Sequence, residues 1–154
     1  MQKKISSFVL IIILLTTFHA LSKDNMINIT SDKLGVDMNN RKSTFTGNVY
    51  AYNHSLKVWS DEMIINLKIN EDKIQEILAI GNVKIIRLVE GSEIYGDTAN
   101  YLIEEEVIIV RGNVLIKENG NQISGEQLKV DLKNSSSIIS GSDSNRVEAL
   151  LVNN

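Results

Sequence analysis

The tetrapeptide Thr46-Gly47-Asn48-Val49 returns as Ile80-Gly81-Asn82-Val83 and Arg111-Gly112-Asn113-Val114, so Gly-Asn-Val recurs at intervals of 34 and 31 residues. A second element interleaves with it. Ile29-Thr30-Ser31-Asp32-Lys33-Leu34, Val58-Trp59-Ser60-Asp61-Glu62-Met63, Ile94-Tyr95-Gly96-Asp97-Thr98-Ala99 and Ile123-Ser124-Gly125-Glu126-Gln127-Leu128 all read apolar, any, small, acidic, any, apolar. Self-similarity at such a period means one supersecondary unit stacked on copies of itself. The unit is a small-acidic corner, a strand, a turn and a Gly-Asn-Val strand. At each corner the small residue lets the chain bend, the acidic side chain is placed to cap backbone amides, and the apolar residue two positions later returns inward. The glycine of Gly-Asn-Val shares parity with Phe45, Val49 and Ala51, so it is expected to face the interior and leave room for a neighbour or a ligand.

Between the repeated elements the apolar residues alternate. The series Leu34, Val36, Phe45, Val49, Val58, Met63, Ile65, Val83, Ile85, Tyr101, Val110 and Val114 has the period of two expected of strands with one buried face. Residues 70–78 read as a turn followed by a strand, and helical periodicity is nowhere sustained. An apolar sheet face without helices to cover it must close on itself as a sandwich, an open roll or a solenoid. Strands of about five to seven residues joined by tight corners fit an all-β, β-jellyroll-like roll of stacked antiparallel strands. Its two terminal strands, near Ile27 to Thr30 and near Ile138 to Leu151, are left as open edges that invite strand addition. Phe45 and Tyr101 are the main bulky members of an otherwise branched aliphatic interior, which suits flexible acyl chains better than flat rings.

The start of the chain reads as an address. Lys3 and Lys4 precede the apolar run Phe8 to Leu15, and Ala20-Leu21-Ser22 offers small side chains for cleavage before Lys23. Residues 1–22 are therefore expected to be a signal peptide and residues 23–154 an exported domain; the competing reading keeps a helix from Ile5 to Leu21 as a membrane anchor. Without Lys3 and Lys4 the balance is 14 basic against 19 acidic side chains, which makes nucleic acid an unsuitable partner. The absence of cysteine excludes disulfides, thiol nucleophiles and cysteine-held metals.

Catalytic signals are thin. After the leader the sole histidine is His54, in a polar turn with no carboxylate marked to orient it. Glu104-Glu105-Glu106 cannot converge from one strand, because alternate residues face opposite sides, and reads as a solvated hairpin. The acidic corners Asp32, Asp61, Asp97 and Glu126 are explained by backbone capping more simply than by a cation ladder. Trp59, Tyr50 and Tyr52 point outward by parity, as a platform for carbohydrate or partner or as an ordinary cross-strand cluster. Lys84, Arg87, Lys117 and Arg146 are available to lipid phosphates, with scattered surface charge as the simpler alternative. No enzyme, metal site or cofactor is expected.

With these residues in order, the chain resembles the LptA, OstA-like periplasmic lipopolysaccharide-transport family. The resemblance is carried by Ile27-Asn28-Ile29-Thr30-Ser31-Asp32, Phe45-Thr46-Gly47-Asn48-Val49, the repeated Gly-Asn-Val and Gly-Asp or Gly-Glu corners, and Ser142-Asp143-Ser144-Asn145-Arg146-Val147-Glu148-Ala149. It runs over about residues 27 to 152. It implies a single twisted β-jellyroll open at both ends, whose interior shields the lipid A acyl chains of lipopolysaccharide. It further implies edge-strand pairing with an LptC-like inner-membrane protein at one end and an LptD-like outer-membrane translocon at the other, with copies joining head to tail in the periplasm. Matched groove positions are Ile27, Ile29, Ile86 and Ile103, with isoleucine at the last two where the family carries bulky aromatics; Ile86 lies on the opposite parity from Val83 and Ile85. The inward series above completes the expected lipid-contacting set, each member alternatively being sealed core. Two other readings are the inner-membrane anchored LptC-like partner, which would retain its first helix, and an exported β-solenoid enzyme acting on polysaccharide.

Overall fold

The computed structural model describes residues 26–152, so the expected leader lies outside the described residues. Ten strands form one antiparallel sheet: β1 (Asn28–Thr30), β2 (Lys33–Asp37), β3 (Lys42–Tyr52), β4 (Leu56–Leu67), β5 (Ile74–Arg87), β6 (Ser92–Leu102), β7 (Val107–Glu118), β8 (Asn121–Asp131), β9 (Ser136–Ser140) and β10 (Glu148–Leu150). The order is β1-β3-β4-β5-β6-β7-β8-β10, with β2 also on β3 and β9 also on β8. β1 pairs with the Tyr50–Tyr52 end of β3 and β2 with its Lys42–Thr46 end, so these two short strands are the halves of one terminal rung. At the other edge, β9 and β10 divide β8 in the same way. The expected open edges are therefore present, each split in two, and residues 70–78 form the turn and strand start that were expected.

The strands themselves differ from expectation. β3 to β8 run 11 to 14 residues rather than five to seven, because the repeated corners do not separate strands but bend them in the middle. The register shifts between Thr46 and Val49, Trp59 and Glu62, Ile80 and Val83, Tyr95 and Thr98, and Arg111 and Val114. At each shift a Gly-Asn pair opposes one acidic residue. A β-bulge of this kind inserts a residue, bends its strand and leaves the flanking ladder intact. Aligned from strand to strand, the bulges form a crease along which the sheet folds onto itself.

The acidic residues also act differently from the expected backbone caps. The Asp32, Asp61 and Asp97 carboxylates accept hydrogen bonds from the Nδ2 atoms of Asn48, Asn82 and Asn113 at 2.8, 2.8 and 2.9 Å. They also fill the space that a side chain at Gly47, Gly81 or Gly112 would need. These glycines have φ of 84°, 79° and 77° and the asparagines after them 46°, 47° and 49°, a left-handed backbone that glycine and asparagine enter most readily. The vacancy beside each glycine is thus taken by the neighbouring strand's carboxylate and offers no room for a ligand. At the fourth corner Glu126 opposes Gly112 and Asn113 across β7 and β8, but no Gly-Asn pair follows on the next strand; a side chain on Gly125 would instead meet Ile139 and the Ser140 carbonyl.

Inside the crease, Val49, Met63, Val83, Val110, Val114 and Leu128 are fully buried. Phe45 and Tyr101 pack against them from the side, in keeping with an aliphatic interior.

Candidate functional site

Because β3 to β8 each cross the crease, the turns that connect them collect on two lips. Residues 53–55, 88–91 and 119–120 lie on the first lip, and residues 38–41, 68–73, 103–106 and 132–135 on the second. Between the lips a mouth of about 1000 Å³ is lined by His54, Ser55, Arg87, Val89 and Glu90 from one side and Lys68, Lys73, Ile103, Glu104, Glu106 and Leu132 from the other. Ile27, Leu56 and Tyr101 continue from this mouth into a crevice of about 80 Å³ walled by Val58, Met63, Ile77, Ile85 and Ile108. Ala51, Ala79 and Ala99 complete the wall, and Ala79 faces Ala99 directly across β5 and β6. Alanine is a poor strand former. Its use here leaves space where a branched residue would close the crevice.

Contacts run along each lip. On the second, Arg41 pairs with Asp72 at 3.0 Å, Lys73 with Glu71 at 3.2 Å, and Lys68 with Glu104. The hydrogen bond to Glu104 holds the Lys68 ammonium above its ordinary pKa. Backbone bonds from Leu67 N to Arg41 O and from Leu132 N to Glu106 O tie neighbouring turns of that lip. On the first, Leu88 N bonds Ser55 O at 2.9 Å and Arg87 pairs with Glu90. Among the described residues no ion pair crosses from lip to lip. The seam is therefore an apolar trough under a polar rim that no ion pair fastens among the described residues. At its wall, burial and the nearby Glu106 carboxylate push the Tyr101 phenol above its ordinary pKa.

The expected lipid-contacting residues separate into groups. Ile27, Val58, Met63, Ile85 and Tyr101 line the crevice, and Ile103 lines the mouth. Val49, Ile65, Val83, Val110 and Val114 are sealed core. Ile29 and Phe45 pack half-buried against that core. Leu34 and Val36 face the same side as Phe45, opposite Phe45 and Ser43, but stand on the free edge and are 56% and 59% exposed. Ile86 is a correction: it alternates with buried Ile85 and sits between Lys57 and Glu93 on the outer face, because the family match ignores the parity of β5. Leu56, Ile77, Ile108 and the three alanines were not in the expected set. Their signal was alternation for the first three and small size for the alanines.

His54 is exposed in the β3–β4 turn and the Glu104–Glu106 run lies in a hairpin turn. Among the described residues no group of three or more His, Cys, Asp or Glu side chains comes together to hold a metal ion.

The chain can now be set beside known proteins. Residues 28–136 match the family described as LptA/(LptD N-terminal domain) LPS transport protein. An uncharacterised protein of Rickettsia prowazekii (strain Madrid E) is 23% identical over 128 residues, covering 81% of this chain and 88% of that protein. The crystal structure of LptH, the LptA homologous periplasmic component of the lipopolysaccharide transport device from Pseudomonas aeruginosa, superposes with a TM-score of 0.74 at 13% identity. It covers 85% of this chain and 98% of LptH, so the two share a fold.

Proposed function

This chain belongs to the LptA/(LptD N-terminal domain) LPS transport protein family, and from that premise we propose that it shields lipid A acyl chains in its trough and carries lipopolysaccharide across the periplasm. The observation that carries this reading is the apolar crevice beneath a polar seam that no ion pair fastens among the described residues. Each acyl methylene removed from water is worth about 0.8 kcal/mol, so a continuous aliphatic trough offsets most of the cost of moving a multi-chain lipid through an aqueous compartment. Sealing that trough requires side chains such as Ile27, Val58, Ile77 and Ile108, and no catalytic group. A crevice of about 80 Å³ is narrower than an ordinary ligand cleft of roughly 300–1,000 Å³, so the two halves of the roll part along the seam as chains enter.

The same reading assigns the split edges to assembly. β1 with β2, and β9 with β10, are short strands with unpaired outer backbone. Exposed Leu34 and Val36 lie at one edge and Leu150 and Leu151 at the other. An LptC-like inner-membrane protein and an LptD-like translocon would add strands here, and copies of the chain would join head to tail. Residues 1–22 act as the cleaved leader that delivers the domain to the periplasm.

A photo-reactive side chain at Val58, inside the crevice, and another at outward Lys129 test the proposal in a lipopolysaccharide-producing cell. Lipid adducts from position 58 alone are expected. Equal labelling from both positions, or none while the protein is folded and exported, would refute it.

A further inference from the structure

Aromatic residues make up 5% of this chain, yet Tyr50, Tyr52, Trp59 and Tyr95 stand together on the outer face of one half of the roll. Burial does not explain this, since the interior is built from aliphatics. The four form a row with lysines. Tyr52 stacks on Tyr50 at 5.2 Å and Tyr50 on Trp59 at 5.0 Å. Lys84 Nζ lies 5.9 Å from the Trp59 ring and 5.4 Å from Tyr95, and Lys117 lies 5.5 Å from Tyr95 on its other flank. Offset stacking and cation–π contact hold such a row rigid.

Tyr52 ends this row at the first lip. One ring face is covered by Tyr50 and the residue is 40% exposed, on the outer face beside Ala51, which turns inward to the crevice that Tyr52 borders at this end of β3. Directly across β3 and β4 from it stands Lys57. Lys84 is paired with Glu93 at 3.3 Å, whereas Lys57 has no ion-pair partner among the described residues. Lys57, Lys84 and Lys117 against Glu93 make this face basic on a chain whose formal charge is -3.

We propose that Tyr52 and Lys57 form a subsite for an anionic sugar ring, the saccharide head of the lipopolysaccharide whose acyl chains lie in the trough; the inference rests on that reading. A ring held by its neighbours loses little freedom when a flat ligand stacks on it, and an unpaired ammonium beside it selects a phosphorylated or carboxylated sugar. The position follows from continuity: a lipid with its chains in the crevice brings its head out at the lip where Tyr52 stands.

The test is a calorimetric titration with intact lipopolysaccharide and with the same molecule stripped of its acyl chains but keeping its phosphates. Wild-type protein is expected to bind both. Tyr52→Ala should weaken the deacylated head about tenfold, and Tyr52→Phe, which keeps the ring, should not. Lys57→Gln should weaken the phosphorylated head and leave a dephosphorylated one unaffected. Urea unfolding followed by Trp59 emission checks that each variant is folded. If intact lipopolysaccharide binds while the deacylated head does not, or if binding is indifferent to Tyr52 and Lys57, the subsite is overturned and the trough stands. If the head binds through Tyr52 but intact lipopolysaccharide gains nothing from its acyl chains, the trough reading falls and the subsite stands.

Discussion

Replacing Gly81 by alanine tests the crease. Gly81 has φ of 79°, a conformation that costs an alanine about 1–2 kcal/mol. The new Cβ also lands on the Asp61 carboxylate, which must swing away and give up its 2.8 Å bond from Asn82. Losing that bond costs about 1 kcal/mol, so Gly81→Ala is expected to destabilise the fold by about 2–3 kcal/mol. Asp61→Ala alone loses only the bond, about 1 kcal/mol. In the double variant the carboxylate is already gone, so the cost should stay at about 2–3 kcal/mol instead of the additive 3–4 kcal/mol. Urea unfolding followed by the emission of Trp59, the single tryptophan, reads all four proteins with one reporter. An additive double variant would show that glycine and carboxylate do not compete for one space, and a neutral Gly81→Ala would show that the left-handed backbone is not required.

Val110, fully buried, should lose about 1–3 kcal/mol on replacement by alanine, while Leu34→Ala at the exposed edge should stay within about 0.5 kcal/mol, both by the same unfolding assay. Tyr101 should ionise above the ordinary phenol range in an ultraviolet titration. Its raised folded pKa means that its share of stability is complete below the ordinary phenol value of 10.0 and is lost as pH rises through the folded value, so Tyr101→Phe should flatten the alkaline limb of stability against pH. Asp37 and Asp131 accept bonds from Asn40 and Asn134, chiefly their side-chain amides, which lower their pKa. Their contribution is complete above the ordinary value of 3.8 and is lost as pH falls through the folded value. Protection of the Asn40 and Asn134 amides, measured against their intrinsic exchange rates, should therefore fall in acid, and Asp131→Asn should remove that pH dependence of protection at Asn134.

Alternation and the two repeated elements were enough to read an antiparallel all-β roll, its two open edges and most of its inward side chains, since period two and chain reversal are local properties. Ile86 shows the limit of similarity without parity: its neighbours Ile85 and Lys84 already placed it outside. The trough was half legible. Val58 and Tyr101 followed from alternation, but their sorting from sealed Val110 and Val114 depends on how closely the two halves of the sheet approach, which no single strand encodes. Ala99 was read as an inward residue of its corner, but neither it nor Ala79 was expected in the trough wall, because a small side chain shows its effect only where it faces another across a crevice.

By itself the sequence determined that strands form, where each bends, and which face of each is apolar, because these follow from residues within a few positions of one another. Only the tertiary structure decided what the bends are made of and what they enclose. Asp61 meets Gly81 and Asn82 from 20 and 21 residues away, Ala79 meets Ala99 across a strand pair, and Tyr52 meets the lip of the trough. Those encounters depend on register and on the folding of one sheet half over the other, and the free energy that selects them comes from contacts distant in the chain.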